Sequence, residues 1–174
     1  MDISEVYRFK IVLIGDGAVG KTSLIKKFTK GTFEKDYIKT IGAQFSKYTK
    51  KFDGDLIKLV FWDIAGQEDF DFLHPLFYKE SKAAIIVYSL EENSLGQKSF
   101  IHIKNWYDVV EKNCGNIPIV LLANKVDLVD EPSINKSKIQ KLVDDYQFLN
   151  FFLTSAKTGQ GVVDAFHAII EHLY

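Results

Sequence analysis

The chain has 174 residues, 47% of them hydrophobic, which suits one domain over residues 1–174 with a single sizeable core and no need of staples. Its 22 basic and 23 acidic residues leave a net charge of −1, and the basic clusters are as short as Lys26-Lys27 and Lys50-Lys51, which argues against nucleic acid as a partner. The lone cysteine, Cys114, excludes an internal disulfide and fits a reducing compartment.

The apolar runs "AAIIVYSL" and "IPIVLLA" are strand-sized, far below the ~20 residues of a membrane helix, and "MDISEVYRFK" lacks signal-peptide design. Asp2 after the initiator and the cysteine-free "EHLY" offer no lipid acceptor. The expected location is cytoplasmic, with any membrane contact made through an anchor outside these residues.

In chain order, the pattern predicts a strand at "YRFKIVLIG", a helix from Lys21, and strands at "AQFSKYTKKF" and "DLIKLVFWDI". Next come a strand at "AAIIVYSL", a helix near Gln97 to Lys112, and a strand at "PIVLLA". A helix near Asn135 to Tyr146, a strand at "FLNFFLTS" and a helix from Val162 complete the chain. Strands alternating with helices imply an α/β fold, a mostly parallel six-stranded sheet with helices on both faces. The Asp53-Gly54 step between two alternating runs signals a hairpin, so one strand is expected to be antiparallel and at the sheet edge. Between the first helix and "AQFSKYTKKF", residues Glu34 to Lys39 show no apolar periodicity and read as a loop.

"GDGAVGKTS", residues 15–23, follows a strand and opens a helix, as a phosphate-binding loop requires. Gly15, Gly17 and Gly20 let the backbone curl, so that N–H groups through Ala18 and Val19 surround phosphate oxygens at the positive end of the helix. Lys21 would bridge the β- and γ-phosphates, Thr22 would give its hydroxyl to Mg²⁺, and Ser23 completes the nucleotide-binding stretch.

"NKVD", residues 124–127, leaves a strand on the same rim of the sheet. Asp127 is suited to accept from N1–H and the exocyclic amine of guanine, the Lys125 stem to pack over the ring, and Asn124 to tie this loop to the phosphate loop. By itself the pattern is an ordinary polar loop. "TSAK", with Ser155, Ala156 and Lys157, ends the next strand, where the Ala156 N–H would donate to guanine O6.

In "WDIAGQED", a carboxylate ending an apolar strand is costly to bury unless paired or beside a metal, so Asp63 is a candidate outer-shell partner of Mg²⁺. Gly66 would bring its N–H to the γ-phosphate, and Gln67 would reach the attacking water. Thr40 would be a second hydroxyl ligand of Mg²⁺; taken alone it is a turn residue.

Together, "GDGAVGKTS", the threonine of "TIG", "WDIAGQE", "NKVD" and "TSAK" resemble the Ras superfamily of small GTPases over roughly residues 7 to 174, and "TIGAQF", "KLVFWDIAGQE" and "FYKES" most resemble its Rab branch. The resemblance implies the P-loop G-domain fold and a Mg²⁺-dependent switch between GTP- and GDP-bound forms that slowly hydrolyses GTP, regulating membrane traffic or related signalling. The alternative is a guanine-nucleotide-binding module that scarcely cycles. Lys21, Gly66 and Gln67 would be the catalytic set, Phe33 would pack on the guanine edge, and Tyr37 would cover the phosphates.

Effector, exchange-factor and GTPase-activating proteins are the implied partners of a monomer. The only arginine, Arg8, precedes the first strand, so an arginine finger would have to come in trans. The resemblance further implies an effector patch of Phe45, Trp62 and Phe77. Strand alternation sets Trp62 and Lys58 opposite Ile57, Leu59, Phe61 and Asp63, and joins Phe45 to Lys47, Thr49 and Lys51. That face reads as a binding surface or, alternatively, as one covered by a helix. Asp69, Gln44 and Ile64 depart from the usual arginine, acid and threonine of Rab-like proteins.

Overall fold

Apolar strands of β-branched residues, alternating with amphipathic helices, build a doubly wound sheet. The structure, a computed structural model, describes residues 5–30, 34–38, 43–63 and 75–174. Strands β1 (Val6–Ile14), β2 (Glu34–Ile38), β3 (Ala43–Phe52), β4 (Asp55–Asp63), β5 (Ala83–Ser89), β6 (Ile119–Asn124) and β7 (Asn150–Thr154) form one sheet in the order β2-β3-β4-β1-β5-β6-β7. The helices are α1 (Lys21–Thr29), α2 (Pro75–Tyr78), α3 (Ser94–Ile101), α4 (Ile103–Cys114), α5 (Lys136–Asp145) and α6 (Val162–Leu173).

The six expected strands are all present, and β3 is the one that runs against the rest. The Asp53-Gly54 turn that reverses the chain has positive φ at both residues, 48° and 90°, as a two-residue hairpin turn of matching twist demands. Two expectations are corrected. Glu34 to Ile38 is a seventh strand rather than loop, paired antiparallel with β3 from Glu34↔Lys47 to Ile38↔Ala43, so β3 is not the edge. The free donors and acceptors of β3 order β2; its own sequence has no alternation to do so. The single helix expected at Gln97 to Lys112 begins earlier, where the Asn93 side chain caps Gly96 N–H, and is interrupted at His102.

The core lies on both sides of the sheet. Ile11 and Leu13 of β1, with Ile57, Leu59 and Phe61 of β4, pack against Leu24, Ile25 and Phe28 of α1 and Phe166 and Ile169 of α6. On the other side, Val12, Ile14, Ala84 and Ile86 meet Trp106 and Val110 of α4 and Ile139 and Val143 of α5. Every residue of β5 and β6 is buried, as expected of interior parallel strands covered on both faces. Parallel strands align their carboxyl ends, so β1, β4, β6 and β7 all finish on one rim.

Candidate nucleotide and magnesium site

The phosphate loop leaves β1 with Gly15 at φ 145°, its α-carbon so close to β5 that a Cβ would stand 2.1 Å from the Val87 carbonyl oxygen. Ala18 takes left-handed backbone at φ 62°, and Gly20, at φ 101°, starts α1. Lys21 is 6% exposed, and its Nζ donates to the carbonyls of Gly15 (3.0 Å) and Asp16 (2.9 Å), holding the ammonium across the loop. Burial lowers its pKa, while Asp63 and Asp16 oppose that shift. The Val19 side chain is fully buried, which leaves only its backbone to face a ligand.

A second tie holds the loop from behind. The Asp16 carboxylate accepts from Trp106 Nε1 at 3.0 Å and lies 2.6 Å from His102 Nδ1. This anchor was not anticipated from sequence; the polar residue within the glycine loop was the available signal.

Asp63 ends β4 beside α1 at 1% exposure. The Thr22 hydroxyl donates to its Oδ2, while Oδ1 is buried and has no hydrogen-bond partner among the described residues. Desolvation raises the Asp63 pKa, and the Thr22 hydrogen bond and Lys21 charge pull it back. A hydroxyl and an incompletely paired carboxylate, both oxygen donors in a site that penalises bare negative charge, fit a hard divalent cation such as Mg²⁺.

On the base side, Asn124 is a 1%-exposed hub between three loops. Its Nδ2 donates to Val19 O at 2.8 Å, and its Oδ1 accepts from Thr154 Oγ1 at 3.1 Å. The Ser155 hydroxyl donates to Asp127 Oδ1 at 2.7 Å and itself accepts from Thr158 N–H at 3.0 Å, so the carboxylate is set by the next loop. Lys125 has left-handed backbone at φ 68°, and its ammonium pairs with Glu91 at the end of β5. Sequence reasoning missed Glu91, although "EEN" after an apolar strand marks the same rim. These loops enclose a cavity of ≈ 420 Å³ lined by Gly20, Ser23, Asn124, Lys125, Asp127, Leu128, Ala156 and Lys157.

The structure therefore brings together the phosphate loop, Thr22, Asp63 and both base loops. Phe33, Thr40, Gly66, Gln67 and the side chain of Tyr37 lie outside the described residues. The aromatic patch is changed in one member. Phe45 and Trp62 pair across β3 and β4 and stack at 5.6 Å, both half-buried. Phe77 is fully buried and sets its edge to Trp62 at 6.2 Å and 79°, a floor for the pair rather than a surface residue. With a helix of only four residues, α2 had no period from which its inward face could be read.

A phosphate loop, a Thr–Asp cation pair and two base loops on one rim of a doubly wound sheet define a P-loop nucleotide-binding domain. A family model for the Ras family matches residues 10–174, and the chain belongs to that family. It is a GTP-binding small GTPase of the switch class, and family members bind GTP and GDP with Mg²⁺ and answer to regulators and effectors.

Proposed function

We propose that this chain is a Rab-like switch that binds GTP and GDP with Mg²⁺, hydrolyses GTP slowly, and regulates membrane traffic or a related signalling process through effectors. The observation that carries this reading lies on β4: Asp63 faces the cation pocket, and the adjacent Trp62 faces outward with Phe45. A partner seated on the aromatic pair is thus one residue from the groups that meet the nucleotide.

Thr22 and Asp63, with Thr40, would hold Mg²⁺, which when bound neutralises phosphate charge. Lys21 would bind the β- and γ-phosphates, Asp127 and Ala156 would orient guanine, and the roles assigned to Gln67 and Gly66 are to orient water for in-line attack and to donate an N–H to the γ-phosphate. Arg8 cannot serve as the finger: it lies six residues before the end of β1, ~20 Å from the rim at strand rise. Turnover should be slow until a partner supplies arginine, which accelerates such reactions by ~10³–10⁵. The protein acts as a cytoplasmic monomer, peripheral to a membrane where a further anchor holds it.

Single-turnover GTP hydrolysis with and without Mg²⁺ tests the reading. Wild type should turn over slowly only with Mg²⁺, and Gln67→Leu should bind GTP normally yet lose partner-stimulated hydrolysis. Unchanged stimulated turnover in Gln67→Leu removes the role assigned to that residue. Turnover that does not need Mg²⁺ removes the role assigned to the metal, and equal competition by ATP removes the guanine assignment.

A further inference from the structure

Beyond the aromatic pair, β1, β4 and β3 carry three cross-strand rows on the same face. These are Lys10–Val60–Lys47, Arg8–Lys58–Thr49 and Val6–Leu56–Lys51. The rows carry five cations, of which Lys10 is half-buried with its ammonium donating to the Leu76 and Lys79 carbonyls at 3.1 and 2.7 Å, and the side chains that these three strands direct to this face include no carboxylate. Arg8, Lys47, Thr49 and Lys51 are exposed, and Lys10, Leu56, Lys58 and Val60 are half-exposed.

Two lysines lean on the aromatics: Lys10 Nζ is 3.9 Å from the Trp62 ring centroid and Lys47 Nζ is 5.6 Å from that of Phe45. Arg8, Lys51 and Lys58 make no ion pair among the described residues. On β2 the register sets Glu34 opposite Lys47 and Asp36 opposite Phe45, so two acidic positions border this face beside β3, and the part of the strip beyond them is Arg8, Lys58 and Lys51. Asp55 at the hairpin accepts from Glu5 N–H and the Tyr174 hydroxyl, and the Glu80 charge favours the protonated form of Lys10.

Like charges side by side on adjacent strands, as at Arg8 and Lys58, destabilise a sheet, and carboxylates laid over them would relieve that repulsion. From this we infer that the strip docks an acidic α-helix of a protein partner, laid along the strands with its apolar end on Phe45 and Trp62. The inference deepens the effector reading above and rests on it for the apolar end only.

Three strands span ~10 Å, the width of one helix with its side chains. From Trp62 to Lys58 is four residues of strand, ~13 Å, which a helix covers in about nine residues. The partner should therefore carry acidic residues about two and a half turns from its apolar anchor. A helix is favoured over a lipid surface because the cations flank half-buried apolar residues along a narrow strip.

The probe is a fluorescein-labelled synthetic helix with Leu and Met at one end and a glutamate face beginning nine residues on. It is titrated by anisotropy into the full chain loaded with a non-hydrolysable GTP analogue. The triple variant Arg8→Glu, Lys51→Glu, Lys58→Glu should bind the probe about tenfold or more weakly than wild type while keeping GDP affinity. A control of equal charge, Lys112→Glu, Lys136→Glu, Lys138→Glu, should stay within about twofold. Equal losses in both triples overturn the inference, leaving only net charge. So does failure of wild type to bind the probe while it binds phosphatidylserine vesicles through the same residues. Trp62→Ala separates the two readings: if it binds like wild type while the strip triple fails, the strip stands and the aromatic effector reading falls.

Discussion

Replacing Asn124 with alanine should uncouple the two halves of the nucleotide site. The substitution removes the donor 2.8 Å from Val19 O and the acceptor 3.1 Å from Thr154 Oγ1. Both partners remain in the protein, and Thr154 is fully buried. Each buried polar group left unsatisfied costs ~1–3 kcal/mol, so the loss for the two should be about 2–6 kcal/mol. Urea unfolding at fixed, saturating GDP and Mg²⁺ measures the global part, since ligand concentration otherwise shifts apparent stability. Release of a fluorescent GDP analogue measures the local part, expected to quicken by about tenfold or more, the equivalent of one of those lost contacts. Gly20 supplies an internal check, because a Cβ there would meet Asn124 Nδ2 at 2.4 Å. Gly20→Ala should therefore be less damaging in the Asn124→Ala background than alone, a coupling of ~0.5–3 kcal/mol. An unfolding free energy within about 0.5 kcal/mol of wild type together with release within about twofold in Asn124→Ala would show that the amide does not bridge the loops.

Gly15→Ala should abolish nucleotide binding, because its Cβ would meet a backbone oxygen rather than a movable side chain; retained GDP affinity with a native circular dichroism spectrum contradicts the close packing described. Glu91→Gln removes the anion that holds Lys125, so GDP release should quicken about two- to fivefold at low salt and the difference should shrink as salt rises. A difference that does not respond to ionic strength counts against the ion pair. Burial pushes the Lys10 ammonium down to about 8 from an ordinary 10.5, so above pH 8 the unfolded chain binds more protons and the stability of the fold rises with pH on this account. Unfolding free energy measured against Lys10→Met should therefore climb relative to the variant between about pH 8 and 10.5, and a flat difference rejects the burial argument.

What could be read from sequence was whatever neighbouring residues encode. The ten residues of "AQFSKYTKKF" became β3 without change, because alternation and the Asp-Gly turn are local. The rim motifs were legible for a related reason: a phosphate loop and the base loops are each contiguous, and strand order in an α/β sheet carries them to one side. Features that depend on distant partners were not legible. β2 exists because β3 offers an edge, and Glu91 matters because β5 and β6 finish side by side. Asp16 is anchored from residues more than eighty positions away. The break at His102 belongs to the same class, since the apolar pattern of "SFIHIKNWYDVV" runs through it without interruption.

The alternation of β4 also explains how one segment serves two surfaces. Asp63 and Trp62 are consecutive, so the pleat must send them to opposite faces. A one-residue slip of β4 against β1 would turn the carboxylate outward and drive the indole under α1, removing cation site and partner face together. That register is held on both sides, by eight paired positions with β1 and nine with β3, from Val6↔Leu56 to Leu13↔Asp63 and from Gln44↔Asp63 to Phe52↔Asp55. On the reading proposed above, the pairing is what would make a cation at Asp63 and a partner on Trp62 act on the same few ångströms of backbone. Anything that shifts the end of β4 changes the two sites jointly, which is the physical requirement for a protein whose surface reports its nucleotide.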